Sequence, residues 1–87
     1  MSPRSIKETL EEVIDQLIDT RIYWPEVSQE FEKLFLMKAL FKSEGNVQKA
    51  AEIMGVHRNT LSKKIREYGV DRSKIRRESR EAKARKK

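Results

Sequence analysis

Apolar residues recur at the helical period in the first part of the chain. Between residues 6 and 18 they fall on one helix face, while the carboxylates of this stretch lie mainly outside that stripe. Ser5 with Glu8 fits a capping box at the start of this helix, and Ser2 with Pro3 offers an alternative start. We expect the helix to end near Asp19. Its apolar stripe comprises Ile6, Leu10, Val13, Ile14, Leu17 and Ile18.

A second helix is expected from about Pro25 to Lys42, because proline suits the first turn of a helix. Seven of the eight residues in the run LFLMKALF, residues 34–41, are apolar. One stripe packed within its own subunit cannot cover such a helix, so we expect this run to bury against a second copy. A monomer with this helix between neighbouring helices is the alternative. The expected inner residues are Val27, Phe31, Leu34, Phe35, Leu40 and Phe41.

Two short helices joined by a tight turn are predicted between Gly45 and Val70. Asn46 stands where an N-cap is needed, Gly45 can close the preceding helix in a left-handed conformation, and Gly55 provides the turn. The first of these two short helices has small or apolar residues at i, i+3, i+4 and i+7. The second also has its apolar residues at helical spacing. The expected inward residues are Val47, Ala50, Ala51 and Met54, then Leu61, Ile65 and Tyr68. This pattern is typical of a helix-turn-helix.

Eighty-seven residues correspond to one small domain, which a second subunit would stabilise. We divide it into dimerisation helices (5–43), the helix-turn-helix (45–70) and a basic tail (71–87). The chain has no cysteine, and its beginning lacks the apolar segment of a signal peptide, so a cytoplasmic protein is expected. Met1 favours a free-standing protein over the end of a larger one.

Charge is distributed unevenly along the chain. Residues 1–45 carry six basic and nine acidic residues, whereas residues 46–87 carry fourteen basic and five acidic ones. The basic half coincides with the helix-turn-helix, which favours binding to a polyanion. Ordinary solvated charge, as in a heat-adapted protein, is the alternative.

The tail has nine basic and three acidic residues, with Ile75 as its one large apolar residue. We therefore expect it to build no core. It is either a helical extension or a disordered arm that binds phosphates.

The stretch from Phe31 to Val70 resembles the Fis family of bacterial DNA-binding proteins, whose module also ends many NtrC-type activators. The run GNVQKAAEIMGVHRNTLSKKIREYG carries the resemblance, with its GN opening, alanine pair, glycine turn and closing YG. The resemblance implies an all-α, four-helix subunit with a C-terminal helix-turn-helix. It also implies an intertwined homodimer whose fourth helix enters the DNA major groove.

Site residues follow from this resemblance, position by position. Arg58 is expected to reach a base edge, because a guanidinium can donate two hydrogen bonds to guanine. The base-contacting set is Arg58, Asn59 and His57. The phosphate-contacting set is Asn46, Gln48, Lys49, Thr60, Ser62, Lys63, Lys64 and Arg66. The dimer interface is Ile6, Leu10, Val13, Ile14, Leu17, Phe31, Leu34, Phe35, Met37 and Phe41.

Two departures from the family pattern are visible. His57 replaces the small polar residue usual at the cap of the recognition helix, and Ser62 replaces a basic residue. For each singled-out cation the alternative is a surface role, such as an Arg58 ion pair with Glu52 or Glu67.

The sequence favours a homodimeric transcription regulator that binds and bends double-stranded DNA in the bacterial nucleoid. A protein–protein adaptor and the DNA-binding end of an NtrC-type activator are the alternatives. We expect no enzyme activity, since no nucleophile and base occur in a pocket-forming context. We also expect no cofactor, metal, membrane or small-molecule ligand.

Overall fold

The computed structural model describes residues 5–85, which form five α-helices and no β-strand. The helices are α1 (Ile6–Asp19), α2 (Trp24–Lys42), α3 (Val47–Met54), α4 (Arg58–Tyr68) and α5 (Arg72–Arg85). The all-α fold is as expected, and the four expected helices are followed by a fifth, so the tail is a helical extension rather than a disordered arm. Contacts divide the chain into two compact units, and the division falls within α2, between Phe31 and Glu32. Within the described residues, no helix is long and apolar enough to cross a membrane.

The first unit contains α1, which begins as the sequence predicts. The Glu8 amide donates to Ser5 Oγ at 3.1 Å, and the Ser5 amide donates to Glu8 Oε1 at 3.3 Å, so the capping box is complete. The alternative start at Ser2 and Pro3 lies outside the described residues. The helix ends where Arg21 adopts a φ of 59° and the Ile22 amide donates to the Leu17 carbonyl.

No residue of α1 is buried in the single chain. Its apolar stripe remains exposed to solvent, with fractions from 40% at Leu10 to 79% at Ile6, and only Leu17 is partly covered. A regular amphipathic helix gains its stability mainly by covering such a face. Within the single chain, α1 does not bury this face.

The second unit holds the hydrophobic core, and α2 contributes to it through one face. Leu36, Ala39 and Leu40 are buried, and Met37 packs against them. The remaining large residues of the apolar run, Leu34, Phe35 and Phe41, are 39–51% exposed. Of the expected inner residues, Leu40 is therefore confirmed as part of the core of the single chain. Leu36 and Ala39 were not anticipated there.

The C-terminal end of α2 turns through two consecutive left-handed residues. Gly45 has a φ of 81°, which confirms the left-handed conformation expected there, but Glu44 precedes it at 55°. The Gly45 amide donates to the Leu40 carbonyl at 2.8 Å and closes the helix. Ser43 Oγ, which is buried, bridges the turn to the carbonyls of Leu40 and Asn46. This turn sets the direction in which α3 leaves α2.

The helix-turn-helix packs as its apolar spacing predicts. Val47, Ala50 and Ala51 of α3 and Leu61 and Ile65 of α4 are buried, and Met54 and Tyr68 pack against them. The two alanines have side chains small enough for α4 to cross α3 closely. Gly55 and Gly69 have φ values of 71° and 63° at the ends of α3 and α4, as expected of glycine caps.

The basic tail forms α5 and adds to the core, contrary to the expectation that it builds none. Ile75 is only 6% exposed and belongs to the same buried cluster as Leu40 and Leu61. Asp71 caps the helix by accepting a hydrogen bond from the Lys74 amide at 3.1 Å. Ser79, also buried, donates its hydroxyl to the Phe41 carbonyl at 2.6 Å. Ile75 and the Ser79 hydrogen bond together dock α5 on the core.

Candidate nucleic-acid interface

The exposed face of α4 lies opposite its buried residues. Leu61 and Ile65 point into the core, and the 100° rotation per residue places Asn59, Lys63 and Arg66 on the far side. All three are exposed. The helix thus presents one polar and two cationic side chains in a row, a composition suited to a nucleic-acid groove.

Arg58 is the first residue of α4. It is exposed and forms no ion pair or hydrogen bond with any residue in the described part of the chain. The alternative ion pairs with Glu52 and Glu67 do not occur there. A guanidinium in this position keeps its full donor capacity for a ligand.

Arg58 and Ser62 share a cleft of about 970 Å³ with the beginning of α3. On the α3 side the cleft is lined by Asn46, Gln48 and Lys49, three of the expected phosphate-contacting residues. Asn46 Oδ1 accepts a hydrogen bond from the Lys49 amide at 3.1 Å, which confirms Asn46 as the N-cap of α3. The oxygen is thereby committed to the helix, while the side-chain amide group of Asn46 remains a donor.

His57 is the N-cap of α4, the position usually held by a small polar residue. Its Nδ1 accepts a hydrogen bond from the Asn59 amide at 3.0 Å, so the ring proton of the neutral side chain resides on Nε2. The side chain of His57 therefore caps the N-terminus of α4. Its Nε2–H remains a donor on an exposed side chain.

Lys64 differs from the other expected phosphate-contacting residues. Its Nζ lies 3.0 Å from Glu32 Oε2 on α2, and Tyr68 donates its hydroxyl to the other oxygen of the same carboxylate. The Tyr68 hydrogen bond, followed by Lys64, lowers the pKa of Glu32 below its usual value. The same bond raises the pKa of Tyr68 to about 12. Lys64 thus ties α4 to α2, and a phosphate would have to compete with Glu32 for it.

Among the expected site residues, one group shares the cleft and another does not. Asn46, Gln48, Lys49, Arg58 and Ser62 line it. His57, Asn59, Thr60, Lys63 and Arg66 lie outside its lining and are exposed. The cleft has a third wall that the sequence analysis did not predict, which α5 supplies through Arg72, Ser73, Arg76 and Arg80. The spacing of Ile75, Ser79 and Ala82 at i, i+4 and i+7 was the one available signal for that helix.

The residues expected at a dimer interface are mostly exposed in the single chain. Ile6, Leu10, Val13, Ile14, Phe31, Leu34, Phe35 and Phe41 are between 39% and 79% exposed. Leu17 is partly covered, and Met37 packs against the core of its own subunit. Within residues 5–85, no group of three or more histidine, cysteine or carboxylate side chains could hold a metal ion.

Comparison with known proteins agrees with this geometry. The family described as "Bacterial regulatory protein, Fis family" matches residues 29–68, from α2 to the end of α4. A Fis-like DNA-binding protein of Xylella fastidiosa is 34% identical over 76 residues, which cover 79% of this chain and 84% of that protein. The DNA-binding protein Fis of Proteus mirabilis is 33% identical over 69 residues, covering 77% of this chain and 70% of Fis.

A second kind of relative matches a shorter stretch of the chain. The DNA-binding transcriptional regulator NtrC of Rhizobium meliloti is 50% identical over 44 residues, which are 51% of this chain and 9% of NtrC. No solved structure matches the chain significantly. Since the Xylella relative is covered over most of its length, the chain belongs to the Fis family of bacterial regulatory proteins.

Proposed function

We propose that the protein is a transcription regulator that binds duplex DNA, with α4 in the major groove. The observation that carries the proposal is the exposed Arg58, which has no protein partner in the described residues and stands at the start of a packed second helix of a helix-turn-helix. From there the guanidinium can donate two hydrogen bonds to a guanine edge. The names of the relatives, Fis and NtrC among them, support the same class of ligand.

The remaining cations of the site would bind the sugar-phosphate backbone. Lys63 and Arg66 lie beside Asn59 on the exposed face of α4, and Lys49 lies across the cleft on α3. Backbone contacts of this kind fix the position of a helix on the duplex and supply most of the affinity. His57 and Asn59 would contact bases beside Arg58, while Asn46, Gln48, Thr60 and Ser62 would donate to phosphates. Lys64 would contribute only after leaving Glu32.

The protein would act as a homodimer joined through α1 and α2. The exposed apolar stripe of α1 and the exposed Leu34, Phe35 and Phe41 of α2 support this, because exposed apolar surface of that extent is rare on soluble monomers. Two recognition helices would then contact the same duplex, and bending of the duplex would allow both to enter it. Sequence preference would come from few base contacts and from the deformability of the DNA. Binding to the chromosome would place the protein in the bacterial cytoplasm.

A salt titration with matched arginine variants tests the DNA proposal. Fluorescence anisotropy with sets of labelled duplexes should show that log affinity falls linearly with log salt concentration, with a slope of about −0.9 per phosphate neutralised. Arg58→Ala should cost about 1–3 kcal/mol on the preferred duplex and less on the others, so that base preference is relaxed.

The control is Arg85→Ala, which removes the same charge from the end of α5, where Arg85 pairs with Glu81 at 3.6 Å. It should leave base preference unchanged. Affinity that is independent of salt, or equal effects of the two substitutions, would contradict the proposal. Absence of any binding to duplex at low salt would favour an adaptor that uses its apolar helices to bind a protein.

A further inference from the structure

The helix α5 lies outside the stretch that matches the Fis family, yet it is fixed to the helix-turn-helix unit at several points. Its buried Ile75 joins the common core, and Ser79 donates to the Phe41 carbonyl. Near its end, Lys83 Nζ lies 3.1 Å from Glu44 Oε2, and Arg80 Nε lies 3.8 Å from Glu44 Oε1. The helix is therefore held in one position along its length.

The approach of α5 to the turn after α2 depends on a glycine. A Cβ atom on Gly45 would lie 3.1 Å from Arg76 Cβ and 3.4 Å from the Arg72 carbonyl oxygen. Arg72 Nε also donates to the Gly45 carbonyl oxygen at 3.3 Å. The Cβ and Cγ atoms of Arg76 thus lie close to the turn, and Arg76 also lines the cleft that holds Arg58.

The described residues that line this cleft carry more positive than negative charges. Two carboxylates belong to it, and both have partners: Glu44 is paired with Lys83 and Arg80, and Asp71 caps α5. Arg58 and Arg76 form no ion pair in the described part of the chain. Two arginines on different helices, neither with an ion-pair partner among residues 5–85, therefore line one open cleft.

We propose that α5 is a second DNA-binding element, and that Arg76 binds a backbone phosphate of the same duplex that Arg58 contacts. The inference rests on the proposed function, because Arg58 fixes which polyanion enters the cleft. A duplex carries phosphates at regular, closely spaced intervals along each strand. A DNA strand that approaches Arg58 therefore also brings phosphates to the other cations of the cleft. Because α5 is docked on the core, Arg76 is held beside the cleft before DNA arrives. Less conformational freedom is then lost on binding than for a disordered arm.

The first test is Arg76→Gln, measured by anisotropy on the preferred duplex. Glutamine keeps the Cβ and Cγ atoms that pack near Gly45 but removes the charge. We expect affinity to fall about two- to fivefold, as for a partly exposed charge contact, with a loss of about 0.9 from the salt slope per subunit bound. The matched control is Arg77→Gln, because Arg77 is the neighbouring exposed arginine of α5 and lies outside the cleft lining. It should leave affinity and slope unchanged.

The second test adds a negative charge without endangering the fold. Ser73 is exposed, lines the cleft and lies in the first turn of α5, where a carboxylate is favourable. Ser73→Asp should therefore keep the melting temperature at or above that of the unmodified protein, while it weakens DNA binding by a factor similar to that of Arg76→Gln.

The outcomes separate the two proposals. If Arg58→Ala lowers base preference but Arg76→Gln matches Arg77→Gln and Ser73→Asp binds normally, α5 has no DNA contact and only the function stands. If the unmodified protein does not bind duplex at all, the proposed function fails as well. A loss of affinity for single-stranded but not double-stranded DNA in Arg76→Gln would assign the cleft to a different nucleic acid and overturn the inference.

Discussion

The Glu32 carboxylate accepts a hydrogen bond from Tyr68 and forms an ion pair with Lys64, both on α4. The direction of its pKa shift determines how the stabilisation from these contacts depends on pH. Its pKa lies below the usual 4.5, chiefly because of the Tyr68 hydroxyl. The stabilisation is therefore present above about pH 4.5 and is lost as pH falls through the lowered pKa. Tyr68→Phe removes the donor but keeps the ring. We expect the difference in unfolding free energy between the unmodified protein and this variant to be constant near neutral pH and to shrink in acid.

Denaturant unfolding between about pH 3 and pH 8 measures this difference. On the alkaline side it should also shrink as pH rises from 10 towards 12, because the pKa of Tyr68 is raised to about 12 and the protonated hydroxyl is the stabilising form. Tyr23→Phe is the control, because it also removes a tyrosine hydroxyl, but Tyr23 is 69% exposed and does not take part in the contact between Tyr68 and Glu32. A Tyr68→Phe difference that stays constant down to pH 3 would contradict the assignment.

Individual residue roles could be predicted from the sequence only where local rules determine them. Asn46 as an N-cap and Ser5 with Glu8 as a capping box need residues no more than three positions apart, and both are present. The family resemblance and the position of Lys64 on the same helix as Arg58 predict a phosphate contact for Lys64. Its actual partner, Glu32, is 32 positions away on α2, so helical spacing alone could not reveal it.

The turn between α2 and α3 has a measurable consequence for α5. Gly45 and Gly55 both have positive φ, so replacing either with alanine should cost about 1–2 kcal/mol through backbone strain. A new Cβ at Gly45 would additionally crowd Arg76 and the Arg72 carbonyl, whereas at Gly55 nothing lies within 4 Å. We expect Gly45→Ala to destabilise the protein by about 1 kcal/mol more than Gly55→Ala does.

Thermal unfolding of the two variants gives the comparison, and amide hydrogen exchange locates the effect. Gly45→Ala should increase exchange in α5 relative to α4, because the crowding acts on the docking of α5. Gly55→Ala should lower global stability without this local change. Equal stabilities and equal exchange in α5 would show that α5 does not depend on the close approach at Gly45.

The packing of the helix-turn-helix could be predicted from the sequence, whereas the docking of α5 on the core could not. The helix-turn-helix follows from small and apolar residues at helical spacing, and its buried residues are those expected, from Val47 to Ile65. The role of α5 was missed because its docking uses one isoleucine, a serine hydroxyl and ion pairs with Glu44. The polar contacts among these join residues 36 to 39 positions apart. They leave only a weak periodic signal in the sequence.

The chain has two sets of apolar residues on α2, one buried in its core and one exposed to solvent. Leu36, Ala39 and Leu40 complete the core with α3, α4 and α5, while Leu34, Phe35 and Phe41 of the same helix are exposed. In addition, no residue of α1 is buried. The proposed second copy would cover these surfaces, since a two-fold interface uses the same patch on both copies. The proposed dimer would thus provide the core that α1 lacks in the single chain.

Leu34→Glu tests this arrangement, with Ile53→Glu as the control. The two residues are 51% and 52% exposed, but Leu34 lies on the proposed dimer surface and Ile53 lies on α3. Burial of a leucine contributes about 1.5–3 kcal/mol, and a two-fold interface loses it twice. We therefore expect Leu34→Glu to weaken the dimer by a factor of about 10² to 10⁴.

Sedimentation equilibrium across a range of protein concentrations measures the association directly. The unmodified protein and Ile53→Glu should both sediment as dimers at micromolar concentration, and Leu34→Glu should sediment as a monomer. Since α1 has no buried residue of its own, its helical content should also fall in the monomeric variant, which far-UV circular dichroism would register. A monomeric unmodified protein with α1 fully helical would refute the dimer. It would leave the apolar surface to a different protein partner.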